Sequence, residues 1–213
     1  MATWTIDEPQ KLTFDTVRRL RVRTVAGSIG VVGTDDRPTL EVSELQGPPL
    51  RVRHHGGELE VDDERPWWPG PLGWLAGRNR RYSAVISLAV PRDCEVDLGV
   101  VSSGLTVSGL RAPLVAKTVS GEITLAGCSG QVEAQTVSGD VTIRVPRASD
   151  LQVELHSTSG QVASAFDELP REGRPALRSI TGRLGAGTGR LRASTTSGHV
   201  ALLRREPEAR ESG

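Results

Sequence analysis

Glu122 and Asp140 hold the same place in two near-copies of one phrase, KTVSGEITLAG (117–127) and QTVSGDVTIRV (135–145), eighteen residues apart. If the copies stack as neighbouring strands, the two carboxylates stand about 5 Å apart. Paired carboxylates at such a distance serve glycoside cleavage or bind a cation. The same column runs on through Gln161, Arg183 and His199, and Glu58 and Gly104 precede it. That variety is ordinary for a solvated turn, so the pair reads as structural. His54 and His55 precede a Gly-Gly bend, and His156 and His199 fall in other units. A metal centre needs three or four converging ligands, so no metal and no cofactor is expected. Cys94 and Cys128 form no CxxC and no Cys/His cluster; a disulfide between them stays open. No nucleophile elbow, phosphate-binding Gly loop or HExxH occurs. The many Ser-Gly pairs precede no helix whose N–H groups could hold a phosphate. No catalytic residue is assigned, and the chain reads as a non-enzyme. Thr106, Thr124 and Thr142 form an outward column that β-propensity explains.

The residues with most to offer a partner lie where repetition stops, in DERPWWPGPLGWLAGRNRRYS (63–83). Trp67, Trp68 and Trp74 stand there with Arg78, Arg80 and Arg81. A Pro/Gly-rich stretch without period is a long loop or insertion. Trp beside Arg suits a hot-spot patch for a protein partner, or a wedge with Trp at headgroup depth and Arg on phosphates. The blander alternative is a plug over an open end or side of the fold. Net charge is zero, so no global field draws the chain to nucleic acid. Only Lys11 and Lys117 of the 26 basic residues are lysines, and the Arg excess is not read as phosphate recognition. A protein partner or self-association is expected, with peripheral membrane contact as the alternative.

What must position these residues is a repeat. Twelve positions recur as Φ-x-Φ-x-(T/S/V/H)-x-(S/A/G/T)-(G/S)-x-Φ-x-Φ, Φ being mostly apolar. The pattern fits units starting at 20, 50, 96, 114, 132, 153, 175 and 191. From 96 onward the starts are 18, 18, 21, 22 and 16 residues apart, a period that indicates a repeat architecture. Each unit reads as two short strands around a Ser-Gly bend. The apolar parity switches across the bend, as a corner requires if both strands are to face one interior. A two-residue hairpin gives the same parity, but favoured hairpin turns are Asn-Gly or Asp-Gly. Position five reads Thr24, His54, Val100, Thr118, Thr136, Ser157, Ser179 and Thr195. Like residues in register are expected when units stack, and inward hydroxyls there would form a ladder satisfying one another. The fold class is all-β: a parallel β-solenoid with a Trp/Pro-rich insertion, or alternatively an antiparallel β-sandwich. Residues 1–203 are expected to form one β-repeat domain, with 204–213 a polar tail. The 3% aromatic content suits such a narrow core.

The phrases TVSGEITL, TVSGDVTI, STSGQV and TTSGHV resemble the bacterial adhesin-like β-strand-repeat domain family, whose function is unknown. The resemblance covers residues 96–203 well and 20–61 more loosely. It implies a β-helix-like fold and a link to the cell envelope or its stress response. The first residues, MATWTIDEPQKLTFD, show no basic stretch followed by an apolar one, so a cytoplasmic place is expected, with a membrane-peripheral one as the variant. The expected role is a non-catalytic scaffold or interaction module. The alternative is a carbohydrate-active β-helix using Glu122 and Asp140.

Overall fold

Apolar residues alternate at period two over most of the chain, and the computed structural model turns these stretches into strands. It describes residues 1–63, 83–169 and 178–205. In chain order the strands are β1 (Ala2–Ile6), β2 (Gln10–Thr13), β3 (Arg19–Thr34), β4 (Thr39–Gln46), β5 (Leu50–His55), β6 (Glu58–Asp63) and β7 (Ser83–Pro91). There follow β8 (Glu95–Ser108), β9 (Leu114–Ser120), β10 (Ile123–Ala126), β11 (Gln131–Ser138) and β12 (Val141–Val145). The last are β13 (Leu151–Ser157), β14 (Val162–Ser164), β15 (Ser179–Leu184), β16 (Gly189–Ser197) and β17 (Val200–Arg204). No helix occurs among the described residues, and the protein is all-β.

The pairing is mixed. One ladder runs parallel in the order β6, β3, β8, β9, β11, β16, β13. A second runs parallel in the order β7, β3, β8, β10, β12, β17, β14. β3 and β8 belong to both because each passes unbroken through a corner between them. Antiparallel strands close the ends: β5 on β6 and β1 on β5 in the first ladder, β4 on β7 and β2 on β4 in the second. At the far end β15 runs antiparallel on β13.

Inward residues from both ladders make one hydrophobic core. In β3, Leu20, Val22 and Thr24 are buried, then Ile29 and Val31, so the parity switches across the corner as the pattern requires. Each fully buried Leu, Ile or Val contributes about 1.5–3 kcal/mol relative to exposure. Among the described residues, the Trp and Phe rings sit at the ends of the stack. Trp4 meets Phe14 edge-on at 5.7 Å, and Phe14 lies 5.2 Å from His54. At the other end Phe166 is buried after β14, with the Arg204 guanidinium 5.6 Å from its ring.

Four expectations are corrected. The unit at 50–61 has no corner: β5 and β6 form an antiparallel hairpin within one ladder. Its turn residues Gly56 and Gly57 have φ of 59° and 83°, the left-handed pair a tight hairpin turn demands. The true two-strand unit there is β6 with β7, both parallel to β3, and residues 64–82 connect them. Chain order is not stacking order either, since β16 and β17 lie between β11–β12 and β13–β14. Lastly, the unit at 175–186 contributes the antiparallel strand β15, and its residues 175–177 lie outside the described residues.

Candidate functional site

The corner is where backbone and side chain are most tightly constrained. At its glycine the neighbouring turn comes so close that no side chain fits. A Cβ on Gly139 would lie 2.1 Å from the Gly121 carbonyl oxygen, and one on Gly198 would lie 2.1 Å from that of Gly139. These approaches are held by backbone hydrogen bonds, from Gly121 N–H to Ser138 O (3.0 Å) and from Gly139 N–H to Ser197 O (3.1 Å). Of the position-five hydroxyls, Thr24, Thr118, Thr136, Ser157 and Thr195 are buried beside the corner, while Ser179, on β15, is exposed. The bonds of the buried column differ from the expected ladder, because each hydroxyl reaches backbone rather than another hydroxyl. Thr136 donates to Gly121 O (3.4 Å), Thr195 to Gly139 O (3.0 Å) and Ser157 to Gly198 O (2.8 Å). Ser157 also accepts the Gly160 N–H at 2.8 Å. The reason is distance: the close approach at the glycine puts a carbonyl nearer than the next hydroxyl. Thr24 and Ser103 are the exceptions, buried hydroxyls without a hydrogen-bond partner.

Trp67, Trp68, Trp74, Arg78, Arg80 and Arg81 lie outside the described residues. Both flanks of their segment are described. Asp63 ends β6, and its Oδ2 accepts the Val25 N–H at the neighbouring corner (2.8 Å). Ala84, in β7, brings its carbonyl to the face of Gly27, where a Cβ would lie 2.0 Å away. Asp63 and Ala84 thus both lie beside the corner at Val25–Gly27.

Glu122 and Asp140 do stand on adjacent turns, with Ile123 N–H bonded to Asp140 O at 2.9 Å. The next member of the column is His199, not Gln161, because the last unit is inserted in the stack. The Asp140 carboxylate accepts the His199 backbone N–H (2.7 Å), and His199 Nδ1 accepts that of Gln161 (3.2 Å). These side chains fasten one turn to the next. Arg183 falls on β15, away from this column. His54 is also structural, its Nε2 bonded to Thr16 O at 2.8 Å. No group of three or more His, Cys, Asp or Glu able to hold a metal occurs among the described residues. Cys94 and Cys128 are free and buried, so they share no disulfide. Burial pushes the Cys94 thiol up to about 12 and raises Cys128 as well, which leaves neither as a thiolate nucleophile near neutral pH.

The outer surfaces of the two ladders contrast. The first carries ion pairs across strands: Arg19–Glu95 (2.9 Å), Arg53–Glu60 (3.1 Å), Lys117–Glu133 (3.3 Å) and Arg192–Glu154 (3.4 Å). The arginines in these pairs are engaged in cross-strand charge matching. The second ladder is nearly uncharged, and a shallow groove of about 300 Å³ crosses it over Gly30, Val32, Thr39, Glu41, Ser87, Ala89, Thr106 and Ser108. A feature that sequence reasoning passed over lies on the corner itself: Val25, Val101, Val119 and Val137 are exposed in one row. Its signal was available, an apolar residue at position six, where parity points outward.

The described residues form a corner-folded β-repeat whose buried polar column bonds to backbone. Residues 86–203 match the sequence model of the Toastrack DUF4097 family, and the chain belongs to that family. The match begins within β7 and leaves out the preceding strands and residues 64–82. Among solved structures, a candidate cell adhesion protein from Clostridium sporogenes is similar, with 12% identity and a TM-score of 0.61 over 93% of this chain and 100% of that one. A candidate adhesin from Bacteroides fragilis aligns at 10% identity and a TM-score of 0.35, over 92% of this chain and 98% of that one. A candidate lipid binding protein from Parabacteroides distasonis aligns at 11% and 0.36, over 93% and 96%. The first of these supports the fold alone. No curated protein matches the sequence.

Proposed function

We propose that the chain is a non-catalytic, adhesin-like β-solenoid scaffold that presents residues 66–82 to a protein partner, in a role tied to the cell envelope. The observation that carries this reading is the placement of residues 64–82 between β6 and β7. Both strands pair in parallel with β3, and between them the sequence has residues 64–82 where β9 and β10 are separated by two residues. A regular stack holds both of its ends, and the composition of Trp67, Trp68, Trp74, Arg78, Arg80 and Arg81 is that of a binding hot spot. The paired charges of the first ladder and the backbone-bonded Asp140 and His199 support a structural role for the rest. Carbohydrate cleavage by Glu122 and Asp140 loses ground for the same reason.

The test replaces residues 64–82 with a corner of the Val-Ser-Gly type and, separately, makes the Trp67→Ala, Trp68→Ala, Trp74→Ala variant. Partner capture and liposome flotation are measured beside melting temperature. The expected result is an intact fold and lost capture in both. Unchanged capture overturns the proposal. Loss of flotation alone transfers the segment to a lipid surface, and a large loss of stability makes it a cap.

A further inference from the structure

On four successive turns of the stack the corner carries a valine: Val25, Val101, Val119 and Val137, exposed by 38%, 40%, 50% and 50%. At strand spacing this row is about 14 Å long. On the next two turns Thr196 and Thr158 take the position, so the apolar ridge ends there. Its flanks differ in charge. On the first-ladder side stand Arg23, Gly99, Lys117 and Gln135, cationic or neutral throughout; on the second-ladder side stand Ser28, Gly104, Glu122 and Asp140, neutral or acidic.

We propose that this ridge is a self-association surface on which a second copy of the chain docks, ridge to ridge, about a twofold axis parallel to the stack. That axis sets the cationic flank of one copy against the acidic flank of the other, with Lys117 opposite Glu122 on the same turn. Lys117 already lies 3.3 Å from Glu133, and an ammonium has donors left for a second carboxylate. An axis across the stack would instead place Lys117 against Gly99 and Glu122 against Gly104, leaving both charges unmatched. In the parallel arrangement each valine meets its own copy, an isologous contact. Four half-exposed valines bury far less than the roughly 800 Å² per partner of a standard interface, so the dimer is weak and concentration-dependent. The proposal stands apart from partner binding by residues 66–82, because its readout is the mass of the purified protein alone.

Sedimentation equilibrium over a rising concentration series tests it. The expected result is a mass that climbs toward two chains, and Val119→Asp weakens the association at least about tenfold by placing two carboxylates at the axis. Val32→Asp, an exposed valine on the outer face of the second ladder, leaves association unchanged. If Val119→Asp disturbs the fold, Val119→Thr, the residue type on the two turns beyond the ridge, gives the same direction with a smaller loss. A short bis-maleimide joins two copies of the Val119→Cys protein; the native cysteines are buried and do not compete. A monomeric mass throughout overturns the proposal. So does association that Val32→Asp abolishes, or cross-linking of Val25→Cys to Val137→Cys protein in a mixture while the Val119→Cys protein stays unlinked.

Discussion

Replacing Gly139 by Ala tests whether the corner is fixed by backbone contact. The added Cβ would lie 2.1 Å from the Gly121 carbonyl oxygen and 2.7 Å from its carbon. Ordinary contact needs more than 3 Å, so the two turns must part by about 1 Å where they are hydrogen-bonded. The obstacle is backbone and cannot rotate away. Gly139 also has φ of 153°, a region that costs a non-glycine residue about 1–3 kcal/mol. Overpacking adds about 1–3 kcal/mol, giving an expected loss of about 2–6 kcal/mol. For a chain of this size 1 kcal/mol moves the melting temperature by about 2–4 °C, so a fall of at least about 4 °C is expected. Gly30→Ala is the control: a Cβ there meets nothing within 4 Å, and the change is expected to be neutral or slightly stabilising. Thermal unfolding followed by circular dichroism, with urea titration for the free energy, measures both. Equal midpoints for the two variants would refute the argument that the corner glycine is required by a neighbouring carbonyl.

Two further outcomes concern buried groups. Ser157→Ala strands the Gly160 N–H that the hydroxyl accepts and is expected to cost about 1–3 kcal/mol in urea unfolding, whereas Thr24→Val removes a hydroxyl with no partner and should be neutral or stabilising. Cys94 is raised by burial from 9.0 to about 12; its contribution is complete below pH 9 and is lost as pH rises toward 12, because only the unfolded thiol ionises in that window. Stability should fall there by at most about 1.4 kcal/mol per pH unit from this group, and Cys94→Val should flatten the slope.

The sequence made the corners legible and hid their order. Parity around Thr24–Ile29 and the recurring Ser-Gly are local consequences of backbone geometry, so a single unit shows them. The place of β16–β17 depends on which of several similar ladders pairs best, and near-identical phrases such as TVSGE and TVSGD do not distinguish the choices. Alternation alone does not reveal the hairpin at 50–63, because a two-residue turn and a corner produce the same pattern; Gly56 beside Gly57, with φ of 59° and 83°, is the discriminating signal. The Trp-rich segment announces itself by composition, but that its flanks β6 and β7 both pair in parallel with β3 is not legible from alternation. The valine ridge was in view in the sequence and lacked only the knowledge that its four members lie in a row.

The insertion of β16–β17 between earlier strands has a consequence for synthesis. In a linear repeat array a nascent chain adds each unit to the growing end, and loss of the last unit merely shortens the product. Here β11–β12 and β13–β14 have no shared ladder until residues 189–204 have been made. The stack can close only once residues 189–204 have emerged, rather than growing progressively from one end. A chain cut short before Gly189 would therefore carry a slot in its interior, with strand edges open to pairing with another chain.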